Sequence, residues 1–309
     1  MQAVIDKIAV VGAGALGVVY AAHLYDMDPR CVYFLAEGQR LLRLRRDGVI
    51  LNGKRYIIPV RSPQEFDHPV DLIIVAVKDR YLSTALRQMH SCVGPETIII
   101  SVLNGIDSEE QIGAVYGREK LLYCVALGID ALREENRVKY TVQGRLIFGE
   151  MENTSLSERV KRLQDLFGKA GIGYETPPDM LRMLWWKFMV NVGVNQASAV
   201  LGANYGVFQT SEEARNLMKS AMREVIALAQ KAGVNLTAED VHSFDPVIDT
   251  LGPQGKTSML QDVEAGRKTE VGIFAGRVIE LGKKYNIPVP VNQWLFDEIK
   301  KIESGCGHK

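Results

Sequence analysis

Short apolar runs alternate with helical patterns over the first half of the chain. The runs are rich in Val, Ile and Leu and are bounded by polar residues or glycine, which is typical of buried strands. They cover residues 7–11, 31–35, 72–77, 97–102 and 121–127. Helical spacing covers residues 18–25, 82–90, 108–115 and 155–168. This alternation predicts an α/β domain built on a doubly wound, mainly parallel sheet.

Two further apolar stretches lie close together near the end of this half. Residues 137–142 and 145–148 are interpreted as strands, with Gln143 and Gly144 as the turn of a hairpin between them. Residues 173–178 are interpreted as the exit from the domain. The predicted N-terminal domain therefore covers residues 1–178.

Beyond residue 178 the apolar positions follow the 3.6-residue period of α-helices. The helical patterns cover residues 181–200, 212–231, 238–249 and 269–284. An all-α C-terminal domain is therefore predicted over residues 179–309. Ser258 follows a loop at residues 251–257 and is interpreted as an N-cap that forms a capping box with Gln261. The tail, residues 304–309, is predicted to be disordered.

The helix predicted at residues 181–200 carries one polar stripe on an otherwise apolar surface. Lys187, Asn191 and Asn195 recur at every fourth position, so they project from one face of an α-helix. Apolar side chains fill most of the remaining circumference, which indicates a buried helix. Because burying an unpaired ammonium is costly, this face is a candidate functional site. The alternative is structural, with Lys187 reaching solvent and the amides bonding to the backbone.

The charge and composition of the chain limit the classes of binding partner that are expected. The 309 residues include 37 Lys and Arg against 37 Asp and Glu, so the formal net charge is zero and nucleic acid is not an expected partner. The densest basic stretch, residues 40–46, is interpreted as the solvated face of a helix. No apolar run reaches the length of a membrane span, and glycines interrupt the apolar start of the chain, so neither a membrane helix nor a signal peptide is expected.

The cysteines bear on metal binding and location. Cys31, Cys92, Cys124 and Cys306 lack the spacing of zinc ligands or of a disulfide framework. No metal site is therefore expected. Widely spaced, reduced thiols predict a cytoplasmic protein.

A glycine-rich segment, GAGALG, follows the first strand and opens the first helix. In this GxGxxG pattern Gly12 permits a tight turn, Gly14 lets a pyrophosphate approach the backbone, and Gly17 allows close packing of helix on strand. The N–H groups of the first helical turn, at Ala15 and Leu16, are then available to phosphate. A Rossmann-type dinucleotide site is predicted, and the alternative is a glycine turn without a ligand.

Polar residues follow two of the predicted strands. Lys78 closes the run at residues 72–77, and Asn104 stands two residues after the run at residues 97–102. Ligands bind doubly wound sheets beyond the carboxyl ends of the strands, so both residues are candidates for contact with cofactor or substrate. The alternative is that each is an ordinary loop residue.

Two residues of the C-terminal half are further candidates. Ser258 can direct its hydroxyl or its helix N-terminus at a carboxylate. Glu270 is either a functional acid or a first-turn acid favoured by the helix dipole.

These motifs together resemble the ketopantoate reductase (2-dehydropantoate 2-reductase) family over nearly the whole chain. The resemblance is carried by GAGALG, by Lys78, by Asn104 with Gly105, by the Lys-x3-Asn-x3-Asn spacing of residues 187–195, by TSMLQDVEAGRKTE at residues 257–270 and by IPVPVN at residues 287–292. It implies NADPH-dependent reduction of ketopantoate to pantoate, a step toward pantothenate and coenzyme A.

The resemblance also implies roles for the matched residues. Lys187 is expected to be the general acid that protonates the ketone oxygen, and Glu270 to hold a substrate hydroxyl and interact with Lys187. Asn191, Asn195 and Ser258 are expected to bind substrate. Asn104 and Lys78 are expected to orient the substrate beside the cofactor. An ammonium near the developing alkoxide supplies both charge stabilisation and a proton.

The chain departs from the family's pattern at the residue that selects the cofactor. Glu37 stands where the family usually carries an arginine for the 2′-phosphate, and an acid there typically binds the ribose hydroxyl of NAD(H). NADP(H) is nevertheless expected ahead of NAD(H), with Arg40 or Arg43 contacting the phosphate.

Departures near the expected substrate site leave other functions open. Gly272 and Ala275 occupy usually polar positions, and Gly255 a position where some members use Asn. The alternatives are a dehydrogenase for another 2-keto or 3-hydroxy acid and a non-catalytic dinucleotide-binding redox sensor. An apolar helical domain is also compatible with a homodimer.

Overall fold

The chain divides into two compact units in a computed structural model that describes residues 4–305. The units are Met1–Leu181 and Arg182–Lys309, compared with the expected boundary between residues 178 and 179. Of the tail predicted to be disordered, Ser304 follows the last helix as its C-cap. Residues 306–309, including Cys306, lie outside the described residues.

All strands found in residues 4–305 belong to the first unit. In chain order they are β1 (Ile8–Val11), β2 (Val32–Leu35), β3 (Val49–Leu51), β4 (Lys54–Tyr56), β5 (Val60–Arg61), β6 (Leu72–Val75), β7 (Ile98–Ser101), β8 (Leu121–Leu127), β9 (Leu132–Glu134), β10 (Arg137–Lys139), β11 (Arg145–Gly149) and β12 (Tyr174–Glu175).

The helices of this unit connect and cover the strands. They are α1 (Ala15–Met27), α2 (Gly38–Asp47), α3 (Leu82–Gln88), α4 (Ser108–Tyr116) and α5 (Glu158–Lys169), with short 3-10 turns at Pro63–Glu65, Asp79–Tyr81, Met89–Cys92 and Arg118–Lys120.

An eight-stranded sheet with the order β12-β11-β8-β7-β6-β1-β2-β5 forms the centre of the first unit. All neighbouring pairs are parallel except β8 with β11. Alternate residues of each central strand enter different cores: Ile8 and Val10 pack into one, and Ala9 and Val11 into the other. Both faces of the sheet are therefore covered, which confirms the doubly wound α/β architecture.

The predicted hairpin around Gln143 and Gly144 is wrong. β10 pairs with β9 and β3, whereas β11 pairs with β8 and β12, so the two segments lie in different sheets. The carboxylate of Asp130 accepts the N–H groups of Thr141 and Val142 at 2.8 Å, and these bonds hold the connecting segment. Proximity in sequence gave the wrong partner because strand pairing also depends on distant segments.

The second sheet, with the order β4-β3-β10-β9, has no counterpart in the sequence prediction. It packs on α1 through β3 and β10. Two polar contacts reinforce this packing, because Asp26 of α1 accepts from Tyr56 Oη and from Lys54 Nζ, each at 2.7 Å. The hairpin between β9 and β10 turns at Glu135, which has a φ of 52°.

The second unit is helical, and its described part, residues 182–305, contains no strand, in agreement with the predicted all-α domain. Its helices are α6 (Met180–Leu201), whose first two residues precede the boundary, α7 (Tyr205–Thr210), α8 (Glu212–Lys231), α9 (Ala238–His242), α10 (Asp245–Thr250), α11 (Ser258–Glu264), α12 (Arg277–Tyr285) and α13 (Pro290–Glu303), with a π-helical segment at Gly272–Gly276.

One helix prediction for this unit requires correction. Residues 238–249 form two short helices instead of one, because α9 ends at His242 and α10 starts at Asp245 with Pro246 in its first turn. The long helix α6 is buried nearly all round, as predicted: Leu184, Phe188 and Val192 are at most 3% exposed. No helix in residues 4–305 combines the length and apolar character needed to cross a membrane.

Candidate functional site

The glycine turn between β1 and α1 is set by close contacts. Gly12 has a φ of 106°, and a Cβ there would lie 2.6 Å from the Ala76 carbonyl oxygen. A Cβ on Gly17 would lie 1.9 Å from the carbonyl oxygen of Gly12. Both glycines are therefore required by the fold itself, in the roles predicted for them.

Gly14 differs from its two neighbours in the motif. A Cβ there would meet the Ala76 oxygen at 3.5 Å, which is an ordinary contact, so packing within the chain does not require glycine. Gly14 is also the N-cap of α1 and supplies no side-chain cap, and Ala15 and Leu16 behind it are partly exposed. This uncapped helix start, with room for close approach, fits the pyrophosphate of a dinucleotide.

The other candidates of the first unit lie along one edge of the sheet. Strands β7, β6, β1 and β2 are adjacent and parallel, so their carboxyl ends meet at the same edge. Asn104 lies beyond β7, Lys78 beyond β6 and Glu37 beyond β2. The structure thus brings these residues to the edge that carries the glycine turn. Asn104 is exposed, and Lys78 is partly buried.

Glu37, the residue that favours NAD(H) on sequence grounds, has a partner in the structure. Its Oε2 accepts a hydrogen bond from Nε2 of Gln88, the last residue of α3, at 2.9 Å. One carboxylate oxygen of Glu37 is therefore engaged by a neighbouring helix. Sequence reasoning did not identify Gln88, because 51 residues separate the two positions.

Arginines gather near the start of α2. Arg40 and Arg43 lie on the exposed side of this helix. Desolvation, together with the charges of Arg40 and Arg43, lowers the pKa of Arg133, on β9, to about 10. Desolvation and the charge of Arg43 likewise lower the pKa of Arg40. Three guanidinium groups thus lie close enough to repel one another, as in a site for a multiply charged anion.

Lys187 lies in the first half of α6 and is partly buried. Desolvation lowers the pKa of its ammonium to about 8, and no charged or hydrogen-bonding partner among the described residues contributes to this change. The interaction with Glu270 that the resemblance implies stays a prediction. A lysine with a pKa near 8 can donate a proton close to neutral pH.

The amides that follow Lys187 on α6 form a connected network. Asn195 Nδ2 donates to Asn191 Oδ1 at 3.3 Å, and Asn195 Oδ1 accepts from Ser258 Oγ at 3.2 Å. Both asparagines are buried, whereas Ser258 is exposed. The structure therefore brings together three of the predicted substrate-binding residues.

The predicted capping role of Ser258 is wrong. Thr257 is the N-cap of α11, and its Oγ1 accepts from the Leu260 N–H at 3.2 Å. Ser258 is the first helical residue, so its hydroxyl is free of the capping role and bonds to Asn195 instead. Gln261 donates to the Lys256 carbonyl oxygen rather than completing a capping box.

Glu270 lies just before the π-helical segment, and buried amides anchor that segment. Gln196 of α6 accepts from the Ala275 N–H at 2.9 Å and donates to Asn292 Oδ1 at 3.0 Å. Asn292 in turn donates to Glu224 at 2.7 Å. Gln196 was not among the predicted residues. The sequence signal for Gln196 is an amide directly after Asn195 on an otherwise apolar helix. The structure shows that this amide is fully buried.

The positions that depart from the family's pattern have different surroundings. Gly272 is exposed, and a Cβ there would meet open space, whereas Ala275 is fully buried. At Gly255 a Cβ would lie 2.8 Å from the ring of Tyr205. The aromatic ring therefore covers the position where some members carry Asn.

The described residues contain no group of three or more His, Cys, Asp or Glu side chains arranged to hold a metal ion. Cys31, Cys92 and Cys124 are buried free thiols.

A Rossmann-type unit with an uncapped glycine turn before its first helix, followed by a helical unit with a lysine of lowered pKa, fits the class of dinucleotide-dependent oxidoreductases. Family models described as ketopantoate reductase PanE/ApbA and its C-terminal part match residues 8–153 and 179–303. The chain belongs to the ketopantoate reductase family.

Similar proteins match nearly the whole chain. The 2-dehydropantoate 2-reductase of Aquifex aeolicus is 26% identical over 96% of this chain and 97% of that protein. The crystal structure of 2-dehydropantoate 2-reductase from Geobacter metallireducens has a TM-score of 0.83 at 27% identity, covering 97% of this chain and 99% of that one. D-mandelate dehydrogenase, solved with NADH and anilino(oxo)acetate, has a TM-score of 0.87 at 22% identity, covering 97% and 99%.

Proposed function

We propose that the protein reduces ketopantoate to pantoate with NADPH and that Lys187 is the general acid. The single observation that carries the proposal is the partly buried Lys187, with a pKa near 8, on the same helix as the bonded amides Asn191 and Asn195. Membership of the ketopantoate reductase family, whose curated relatives are named 2-dehydropantoate 2-reductase, supports this substrate.

The chemistry assigned to Lys187 is proton donation to the ketone oxygen. When bound, the reduced nicotinamide supplies the hydride that the carbonyl carbon gains. The ammonium of Lys187 stabilises the negative charge that develops on the oxygen and transfers one proton to it. The product is the alcohol, and the neutral amine regains a proton from solvent. A pKa near the working pH suits this step.

Substrate binding is assigned to the hydroxyl and amide groups near Lys187. Ser258, held by Asn195 at 3.2 Å, presents an exposed hydroxyl at the first turn of a helix. A hydroxyl at a helix N-terminus is suited to the carboxylate of a 2-keto acid. Asn191 and Asn195 supply further donors, and Glu270 is assigned to the substrate hydroxyl. Because Gln196 and Asn292 anchor the segment after Glu270, they are assigned a supporting role.

Cofactor binding is assigned to the edge of the sheet in the first unit. Gly12, Gly14 and Gly17, with the N–H groups of Ala15 and Leu16, would hold the pyrophosphate. Lys78 and Asn104 are assigned to the nicotinamide end and the substrate beside it.

The preference for NADPH is supported by the arginines near α2. Arg40, Arg43 and Arg133 repel one another, which favours binding of an anion among them. Because Glu37 accepts from Gln88, its carboxylate is already engaged. The arginine cluster favours a 2′-phosphate over a bare ribose hydroxyl.

The test of the proposed function is the initial rate of reduced-nicotinamide oxidation with ketopantoate, measured in parallel with NADPH and NADH. We expect saturable turnover with both cofactors and a higher kcat/KM with NADPH. A higher kcat/KM with NADH would indicate that Glu37 determines the cofactor preference. Absence of turnover with a cofactor that binds would overturn ketopantoate as the substrate.

Replacing the arginines tests the cofactor assignment. We expect R40A and R133A each to weaken NADPH binding by about 10- to 100-fold, the equivalent of a hydrogen bond to a charged group worth about 1.5–3 kcal/mol. The KM for NADH should change little. Binding of 2′,5′-ADP and of 5′-AMP by calorimetry gives the same comparison without turnover.

The control for this comparison is Arg30, an exposed arginine that pairs with Asp28 at 3.0 Å. R30A should leave both cofactors unaffected. Equal losses for NADPH and NADH in R40A and R133A would contradict a phosphate-specific role.

The second candidate function is reduction of another 2-keto acid with a bulkier apolar substituent. It is favoured by the contact between Tyr205 and Gly255, which puts an aromatic ring where some members carry Asn. A panel of 2-keto acids, including benzoylformate, separates the two candidates by kcat/KM. Turnover with any of them would also end the alternative of a redox sensor. A cytoplasmic location and a homodimer stay predictions.

A further inference from the structure

The loop that carries Asn104 is closed at its base by a chain of hydrogen bonds. Ser101, the last residue of β7, and Ser108, the first of α4, are joined through their Oγ atoms at 2.8 Å. The Leu103 N–H donates to Ser101 Oγ at 3.3 Å, and Ser108 Oγ donates to Glu109 Oε2 at 2.9 Å. The four residues therefore link a buried carboxylate to the backbone directly before Asn104.

The direction of this chain follows from its last member. An ionised carboxylate only accepts, so Ser108 donates its one proton to Glu109. Ser108 can then only accept from Ser101, and the oxygen of Ser101 accepts from the Leu103 N–H. A proton on Oε2 would donate to Ser108 and leave the direction between the two serines unfixed.

Glu109 lies in a buried environment, where the ionised form of a carboxylate is unfavourable. It is 4% exposed, whereas the adjacent Glu110 is exposed on the surface of the same helix. The charged or titratable groups that act on it or respond to it are Asp107, before α4, and Tyr123 and Cys124, on β8. Burial raises the pKa values of both β8 side chains, so neither is charged near neutral pH.

The pKa of Glu109 is raised to about 7: burial is the largest cause and the charge of Asp107 also raises it, whereas its bonds to the backbone and to Ser108 lower it. A helix-dipole role alone would be served as well by Glu110. Glu109 instead accepts a hydrogen bond from Ser108, one of the two serines that hold the loop.

We propose that Glu109 is a positioning residue for Asn104: its carboxylate orders the hydroxyls of Ser108 and Ser101 and thereby holds the Leu103 amide and the loop. Protonation of Glu109 removes this order and lowers the efficiency of the enzyme. The inference rests on the proposed function for the role of Asn104, whereas the link between Glu109 and the loop is independent of it.

The activity test compares E109Q, E109A and the control E110Q over pH 5.5–9.5. For the native chain we expect kcat/KM to rise with pH through about 7, as Glu109 ionises, and to fall through about 8, as Lys187 loses its proton. The 2′-phosphate of NADPH titrates near pH 6, so the profile is also measured with NADH. In E109Q, whose amide oxygen still accepts from Ser108, the rise near pH 7 should disappear.

The variants should separate positioning from folding. E109A, which loses the acceptor, should lower kcat/KM about tenfold above pH 7, where Glu109 of the native chain is ionised, and have little effect at low pH; tenfold is the equivalent of one hydrogen bond. E109Q, whose acceptor does not titrate, should restore most of this loss, and E110Q should follow the native profile. A rise near pH 7 that persists unchanged in E109Q would overturn the proposal.

The second measurement needs no substrate. In protein labelled with 15N-leucine, the Leu103 amide is assigned from its loss in L103I, and its hydrogen-exchange protection is compared at pH 6 and pH 8. Protection should be greater at pH 8 in the native chain and equal at both values in E109Q. If the native protein fails to reduce ketopantoate but shows this difference, only the function is overturned. Equal protection at both pH values in the native chain would overturn the role of Glu109.

Discussion

Replacing Lys187 by alanine lowers kcat for ketopantoate reduction by about 10²- to 10⁴-fold, the range that a positioned general acid contributes. Dinucleotide affinity stays close to that of the native chain, because the glycine turn lies in the other compact unit. The measurements are steady-state kinetics with NADPH and fluorescence titration of the cofactor. K283A, which changes an exposed lysine of the same unit, should retain full turnover.

The pH dependence of Lys187 gives the same prediction a second readout. Its pKa is lowered from 10.5 to about 8, so the fraction able to donate a proton falls as pH rises through about 8, and kcat should fall with it. Stability changes in the opposite direction. The unfolded chain binds this proton more tightly, so the free energy of unfolding rises between about pH 8 and pH 10.5.

The charged form of Lys187 therefore costs the folded state up to about 3 kcal/mol at neutral pH. K187M removes this cost and keeps the alkyl volume, so it should be at least as stable as the native chain at pH 7 while lacking activity. An active K187M or K187A, with its fold intact by circular dichroism, would end the assignment of Lys187 as general acid.

Alanine substitutions at two glycines of the same motif should impair different properties: G17A should lower stability, and G14A should weaken dinucleotide binding. G17A should destabilise the first unit by about 1–3 kcal/mol or more, because its Cβ would overlap the Gly12 carbonyl oxygen at 1.9 Å. G14A should cost less than about 1 kcal/mol, which is the scale of replacing glycine by alanine at an N-cap. Its defect should appear in dinucleotide binding, at least about tenfold, as for the loss of one charged hydrogen bond.

Thermal unfolding and calorimetric titration with NADPH distinguish these outcomes. G252A is the matched control, because a Cβ on Gly252 would meet open space. Native-like dinucleotide affinity in G14A would contradict the assignment of the pyrophosphate to this turn. A G17A protein as stable as the native chain would contradict the close packing of α1 on the turn.

Several parts of the fold could be predicted because their signals are local. The strand, glycine turn and helix of residues 7–25 each depend on neighbours in sequence, and the structure has all three. The same holds for α6, whose apolar circumference and four-residue spacing of Lys187, Asn191 and Asn195 follow from helix geometry alone. Covalent spacing determines which side chains share a face, so no distant contact is needed.

Pairing between distant segments could not be predicted in this way. β10 pairs with β3, far away in sequence, rather than turning into β11, and the whole second sheet depends on that pairing. The sequence likewise did not show whether Thr257 or Ser258 is the N-cap of α11. Both hydroxyls can cap a helix, and the backbone conformation at Thr257, with a ψ of 156°, selects it.

By itself the sequence determined a Rossmann-type unit, a helical unit and the set of polar residues that a reductase of this family would use. Only the tertiary structure decided which of these groups are bonded and how burial changes their chemistry. It joined Ser258 to Asn195, engaged Glu37 with Gln88, and surrounded Lys187 and Glu109 closely enough to bring their pKa values toward neutrality. The physical reason is that desolvation and hydrogen bonding depend on all atoms within a few ångströms, and most of those atoms come from segments distant in sequence.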